Sequence, residues 1–316
     1  MSMTVLRYPV LFVVGPTASG KTKMSLLLAN FFNGEIISAD SMQVYKGMDI
    51  GTDKVSPQLR KKIPHYLVDI IDPSEEYSAY QFSQDAIACI DEIHKRNRLP
   101  IVVGGSGLYI KALCDGLAPA VSESTELRNQ IEKEAERKGL SALYTELKMI
   151  DADRASEVHP NDKRRIIRAL EVFRLTGDKP SEVRKEIKSL QEQGYEVKII
   201  GLKASRQILY SNAEKRVDEM VARGLENEVK KIKTRLSSTT LQAVGYKEII
   251  EYLQGTCSLQ EAVDNIKKHT RHLVKKQFTW FMRDKRIEWF DTDLCGNDTV
   301  LIDLIRCSVE KWLGNL

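Results

Sequence analysis

The segment Gly15-Pro16-Thr17-Ala18-Ser19-Gly20-Lys21-Thr22 matches G-x-x-x-x-G-K-[ST] at every fixed position. The apolar run Val10–Val14 precedes it, and Lys23–Phe32, which reads as a helix, follows it. A strand that is apolar throughout must be covered on both faces. The motif in this setting therefore commits the N-terminal part of the chain to a parallel sheet with helices packed on it. The glycines let the backbone wrap closely around an anion, and loop N–H groups and the helix N-terminus face it. Lys21 adds positive charge, and the Thr22 hydroxyl is placed to ligate Mg²⁺. The motif thus reports a bound di- or triphosphate. On the motif alone, the first reading is a P-loop kinase for a nucleoside or small metabolite, using ATP.

The rest of the first 118 residues agrees with such a sheet. Glu35–Ala39, His65–Ile71 and Ile101–Val103 read as further strands, and Ala79–Arg96 reads as a helix. Residues 119–200 are charged and helical, with Ser124–Lys138, Ser141–Met149 and Asp162–Thr176 amphipathic; Thr176-Gly177 and Pro180 end the last of these. Glu196–Leu202 returns as a strand, long helices follow, and Ile287–Phe290 reads as a short strand near the end. The expected fold is α/β: a P-loop NTPase-like core with a parallel sheet, formed by residues 1–118 and 201–316 with its C-terminal helices. A helical insertion domain, 119–200, interrupts it. A chain of 316 residues, 42% hydrophobic and 29% charged, has room for both parts and for a real core.

Several classes are excluded. No apolar run approaches the roughly 18 residues of a membrane span. Val10–Val14 is too short for a signal peptide, and a glycine-rich motif follows where a cleavage site would stand. The cysteines Cys89, Cys114, Cys257, Cys295 and Cys307 are far apart and form neither C-x-x-C nor zinc spacing. Free thiols in a reducing cytoplasm are expected.

The net charge is only +4, but it is unevenly placed. Residues 1–118 and 119–200 are each neutral, so the whole excess lies in 201–316. Within 266–286, Lys267, Lys268, Arg271, Lys275, Lys276, Arg283, Lys285 and Arg286 face a single acid, Asp284. Such local charge suits a nucleic-acid backbone. On a helix, Lys268, Arg271 and Lys275 share one face, while Ile266, Leu273, Val274, Trp280 and Phe281 form a stripe suited to the core.

Asp40 ends the second strand, where ligands sit in open α/β sheets. It could bind Mg²⁺, act as a general base, or cap a helix. Asp69 and Asp72 could supply a second metal-binding carboxylate or serve as turn residues.

Taken together, these stretches resemble the tRNA dimethylallyltransferases, also called tRNA isopentenyltransferases. The resemblance runs from about Val10 to Phe290. It is carried by GPTASGKT at 15–22, ISADSMQVYKGMDIGT at 37–52, VGGSGLY at 103–109, HPNDKRRIIRALEV at 159–172, AVGYKE at 243–248 and TRHLVKKQFTWFMRD at 270–284. Ser106 stands where the family commonly has Thr, with the hydroxyl retained. The zinc finger of some eukaryotic relatives has no counterpart, so the likeness is to the compact bacterial form.

The resemblance implies transfer of a dimethylallyl group from its diphosphate to N6 of the adenine just 3′ of the anticodon, in tRNAs reading codons that begin with U. Gly15, Pro16, Thr17, Ala18, Ser19, Gly20, Lys21 and Thr22 would then grip the diphosphate, with Mg²⁺ near Thr22. Arg216 would contact pyrophosphate, Asp40 would accept the N6 proton, and Thr17 would hydrogen-bond at the reacting centre. Implied tRNA contacts are Asp40, Ser41, Met42, Gln43, Ser106, Arg128, Lys163, Arg164, Arg165, Arg168, Gly245, Tyr246, Lys247, Lys268, Arg271 and Lys275. The partners are the tRNA anticodon stem-loop and dimethylallyl diphosphate, and the expected state is a monomer.

Overall fold

A computed structural model describes residues 8–117, 125–185, 188–293 and 298–316. Cys295, the start of the expected Ser124–Lys138 helix and the expected boundary at 118/119 lie outside the described residues. The other four cysteines are free thiols.

Six strands form one sheet: β1 (Tyr8–Val14), β2 (Gly34–Ser38), β3 (His65–Tyr66), β4 (Leu99–Gly104), β5 (Tyr195–Lys203) and β6 (Ile287–Asp291). Their order is β3-β2-β4-β1-β5-β6, and every pairing is parallel. The apolar run of β1 is explained by its central place, with β4 on one side and β5 on the other. Side chains alternate across a strand. Val10, Phe12 and Val14 therefore enter one core, with Phe82, Ala86 and Ile90 of the Ala79–Lys95 helix. Leu11 and Val13 enter the other, with Met24 and Leu28 of the Lys21–Phe31 helix and Leu301 and Ile305 of the Asp298–Leu313 helix.

A third cluster joins Val44, Tyr45 and Met48 to Val217, Met220, Leu225, Tyr246 and Ile266. It packs the segment after β2 on the C-terminal helices. Serines begin two long helices with capping boxes: Ser78 with Gln81, and Ser258 with Glu261 for the Leu259–Phe281 helix.

The third strand is shorter than expected. Only His65 and Tyr66 pair with β2, because Leu67 and Asp69 take left-handed backbone angles, φ 59° each. Such angles end a ladder. Tyr45–Ile71 survives as an isolated bridge.

The chain divides into Met1–Cys114 with Leu190–Leu316, and Asp115–Ser189. The expected boundary at 200 falls inside β5, whose whole length from Tyr195 to Lys203 pairs with β1 or β6. The described elements of the second unit are all helical. They close on Ile131, Leu143, Leu147, Ile166 and Leu170, and Arg174 bridges Glu134 and Glu146. Asp162 caps the Lys163–Thr176 helix and Gly177 ends it. Among the described residues, no helix is long and apolar enough to cross a membrane.

Candidate active site

The carboxyl ends of β1, β2 and β4 open into a cavity of about 560 Å³. Thr17, Ala18, Gly20, Lys21 and Thr22 line it from the loop after β1. Asp40, Ser41, Met42 and Gln43 line it from the segment after β2, and Gly104, Gly105 and Ser106 from the end of β4. Arg216, Thr270, Leu273 and Gln277 come from the C-terminal helices.

The loop after β1 is built for close approach. Gly15 has φ +144°, and a side chain there would meet the Leu202 carbonyl oxygen at 2.4 Å. Lys21 Nζ donates to the Pro16 carbonyl across the loop at 2.7 Å. Crowding by protein, and then the nearby Arg216 charge, press the Lys21 pKa down to about 7, against an opposing pull from Asp40. A bound anion would reverse that pressure. Ser19 Oγ and Arg216 Nε are buried with no protein partner. Buried polar atoms are normally satisfied. Arg216 lines the cavity, so its unpartnered Nε marks a place shaped for an anion. Arg216 lies on the Arg206–Ala222 helix, where Asp53 Oδ2 stands 3.7 Å from it.

Across the cavity, Asp40 Oδ1 accepts the Met42 N–H at 2.9 Å, so the residue turns its own loop. Among the described residues, its second oxygen has no protein partner. Ser106 Oγ accepts the Ser41 N–H at 3.0 Å and donates to Ser41 Oγ at 3.2 Å. Gln43 accepts from Ser38 Oγ at 2.9 Å and donates to the Thr52 carbonyl at 3.1 Å. Gly104 allows this arrangement, since a side chain there would strike the Ala39 carbonyl oxygen at 2.1 Å.

Asp69 and Asp72 stand apart from the cavity lining and are structural. Burial pushes the Asp69 carboxyl up, but hydrogen bonds from Lys54 (2.5 Å) and Arg60 (2.7 Å) hold it below the usual carboxylate range. Asp72 accepts from Ser74 and Arg235.

The residues proposed for nucleic acid divide sharply. Lys268 and Lys275 are exposed on the Leu259–Phe281 helix, while Arg271 pairs with Glu214. The apolar stripe holds at Ile266, Val274 and Phe281, but Trp280 is 40% exposed and lies against Gly107. Gly107 makes room for the indole, since a side chain there would come within 2.3 Å of it. Lys247 is exposed, whereas Gly245 and Tyr246 are buried. Tyr246 gives its hydroxyl proton to Glu228 at 2.6 Å, and no face of it is left for a nucleic acid. In the helical unit, Lys163, Arg164 and Arg165 are exposed. Arg168 binds the fully buried Glu171 at 2.7 Å, and Arg128 lies 3.9 Å from Glu132.

Three residues of the site escaped the reading of single motifs. Glu228 accepts the N–H groups of Asp49, Ile50 and Gly51 at 2.9, 2.7 and 3.0 Å, which fixes the turn carrying Thr52 and Asp53. Asp53 in turn pairs with Arg216 and Arg223. Gln277 accepts from the Thr17 N–H and donates to the Gly105 carbonyl. Nothing local distinguishes an isolated Glu, Asp or Gln, although Gln277 lies within the KKQFTW stretch.

The parallel sheet, the phosphate loop after its central strand and the facing carboxylate define a P-loop protein with an anion site. A family model described as IPP transferase matches residues 43–284. The chain belongs to the IPP transferase family. A protein of Geotalea uraniireducens named tRNA dimethylallyltransferase 2 is 46% identical over 286 residues, covering 89% of this chain and 92% of that one. The tRNA dimethylallyltransferase of Caldanaerobacter subterraneus is 46% identical over 289 residues, covering 90% and 92%. Among solved structures, the full-length tRNA isopentenylpyrophosphate transferase of Bacillus halodurans is 40% identical, with a TM-score of 0.69, covering 96% of this chain and 98% of that one. A eukaryotic dimethylallyltransferase acting on tRNA is 31% identical, with a TM-score of 0.82, covering 97% and 80%.

Proposed function

We propose that this chain transfers a dimethylallyl group from its diphosphate to N6 of the adenine 3′-adjacent to the anticodon, in tRNAs reading codons that begin with U, and releases pyrophosphate. One observation carries the reading. A single cavity brings Lys21, Thr22 and Arg216, whose Nε has no protein partner, together with Asp40, whose second oxygen has none among the described residues.

In the reaction the allylic C–O bond breaks and its electron pair leaves with pyrophosphate. The new bond joins N6 to the allylic carbon, and the N6 proton passes to Asp40. Negative charge grows on the leaving group, so Lys21, Arg216 and the loop N–H groups bind it more tightly in the transition state than in the ground state. The amino lone pair is delocalised into the purine, so a base that takes the proton helps the attack. Thr17 offers its hydroxyl at the same centre. Ser41, Met42 and Gln43 flank Asp40, where an adenine flipped out of its loop would lie. Among the described residues no three His, Cys, Asp or Glu side chains form a metal cluster. Mg²⁺ commonly keeps several waters and binds through few protein oxygens and the substrate phosphates, and Thr22 lines the cavity where those phosphates would lie. Thr22 would hold it, and it would supply charge against the leaving group.

Phosphate contacts from Lys268, Lys275, Lys247, Lys163 and Arg164 would orient the tRNA. The test is direct. Labelled dimethylallyl diphosphate, unmodified tRNA and Mg²⁺ should yield label in tRNA. ATP hydrolysis or phosphate transfer to a nucleoside, with no label in tRNA, would replace this reading with a kinase.

A further inference from the structure

Gln277 lies three helical turns beyond Ile266 on the Leu259–Phe281 helix, and its amide reaches two loops at once. Oε1 accepts the Thr17 N–H at 2.7 Å, and Nε2 donates to the Gly105 carbonyl at 3.0 Å. The first bond takes a phosphate-loop N–H away from the anion and fixes the backbone of Thr17, which lines the cavity. The second fixes the residue before Ser106, which holds Ser41 by its N–H and its hydroxyl. Asp40 immediately precedes Ser41. A continuous polar path therefore runs from the diphosphate cradle through Thr17, Gln277, Gly105, Ser106 and Ser41 to the carboxylate.

The fit is tight. A side chain at Gly105 would come within 2.5 Å of Gln277 Nε2, so the glycine makes room for the amide. A neutral amide carries both the acceptor for one loop and the donor for the other. Glutamate there would lose the donor, and asparagine would fall a methylene short. Lys275, exposed two residues earlier, sits on the same helix.

We infer that Gln277 is a positioning residue for the proposed transfer, one that holds the leaving-group cradle and the Asp40 loop at a fixed spacing. The inference rests on the proposed function for its consequence, and on the two hydrogen bonds for its mechanism. A spacing error between two reacting groups lowers turnover more than it lowers binding of either substrate. In this role Gln277 acts through the two loops it joins, so its loss should spare affinity.

A double-mutant cycle on the full chain tests it. Gln277→Met keeps the length and packing without the amide, and Gly105→Ala displaces the amide from the other side. If both act on one bridge, each lowers kcat about ten- to a hundredfold, and the double variant falls no further than the worse single. The Kd for Mg-pyrophosphate by calorimetry and for tRNA by filter binding should stay within about threefold, since the contacts to both are intact. A kcat for Gln277→Met within about twofold of the parent, multiplicative losses in the double variant, or turnover lost only in proportion to pyrophosphate affinity would overturn the inference. If the parent chain transfers nothing, the functional reading fails, and the bridge is scored by amide hydrogen exchange. Residues 15–18 and 103–106 should then exchange at least about tenfold faster in Gln277→Met, and unchanged exchange would sink the bridge as well.

Discussion

The two walls of the cavity are made in opposite ways. The cradle wall, Gly15–Thr22, is contiguous in sequence and works largely through its own backbone and one lysine. The facing wall, residues 40–53, is held by side chains far away in the chain: Ser106, Asp53 with Arg216, and above all Glu228. A phosphate can be gripped by a local loop because its recognition is electrostatic and nearly isotropic. An adenine amino group must meet a base at one distance and one angle, and that precision needs support from several elements. Pyrophosphate affinity should therefore tolerate distant substitutions that leave Arg216 in place, whereas the geometry of the facing wall should not.

The largest expected effect tests the chemistry of the second wall. Asp40→Asn should lower kcat by about 10²–10⁴-fold, the usual contribution of a general base, with tRNA Kd nearly unchanged. Near-normal turnover in steady-state assays would remove Asp40 from that role. The next tests its support. Glu228→Ala strands the N–H groups of Asp49, Ile50 and Gly51 and the Tyr246 hydroxyl, and should cost about 2–4 kcal/mol in urea unfolding. A loss below about 0.5 kcal/mol, typical of a surface site, would mean that the wall is held by packing alone.

The cradle titrates instead. Lys21 in the ligand-free chain has its pKa lowered from 10.5 to about 7, first by burial. Below that value the ammonium is already charged. Above it, anion binding must take up a proton, so pyrophosphate affinity should fall as pH rises beyond about 7, by at most tenfold per unit. Lys21→Arg stays charged and should flatten that slope after the ligand's own titration is subtracted, as calorimetry from pH 6 to 9 would show. The unfolded chain keeps this proton up to its higher pKa, so the same group makes the ligand-free fold more stable as pH rises from about 7 toward 10.5. The smallest effect concerns docking. Replacing Lys268 and Lys275 with Ala should reduce the salt slope of tRNA binding by roughly 0.7–0.9 per lost phosphate contact. An unchanged slope would place the RNA elsewhere.

The same contrast explains what was legible in the sequence. The Gly15–Thr22 loop and the buried strands announce themselves through local pattern. So do the serine caps, Asp162 and Gly177, because the physics behind each spans only a few residues. The third strand is shorter than the apolar content at 65–71 suggests: Leu67 and Asp69 are left-handed, and Asp69 is held there by Lys54 and Arg60, contacts that no local pattern carries. Trp280 falls on the apolar side of a helical stripe, yet it packs its ring against the distant Gly107 and stays 40% exposed. Tyr246 belonged to a stretch implied to touch tRNA, and burial gives it to Glu228 instead. Glu228, Asp53 and Gln277 hold the site through partners more than a hundred residues away, so these roles exist only in the folded chain.

The claim that both walls serve one reaction is tested most directly by a structure of this chain with an anticodon stem-loop and a non-reactive thio-analogue of dimethylallyl diphosphate. The account predicts the diphosphate against Lys21 and Arg216, and N6 of the flipped adenine within roughly 3 Å of the free oxygen of Asp40. An adenine bound outside the cavity, or a diphosphate lodged away from Gly15–Thr22, would contradict it.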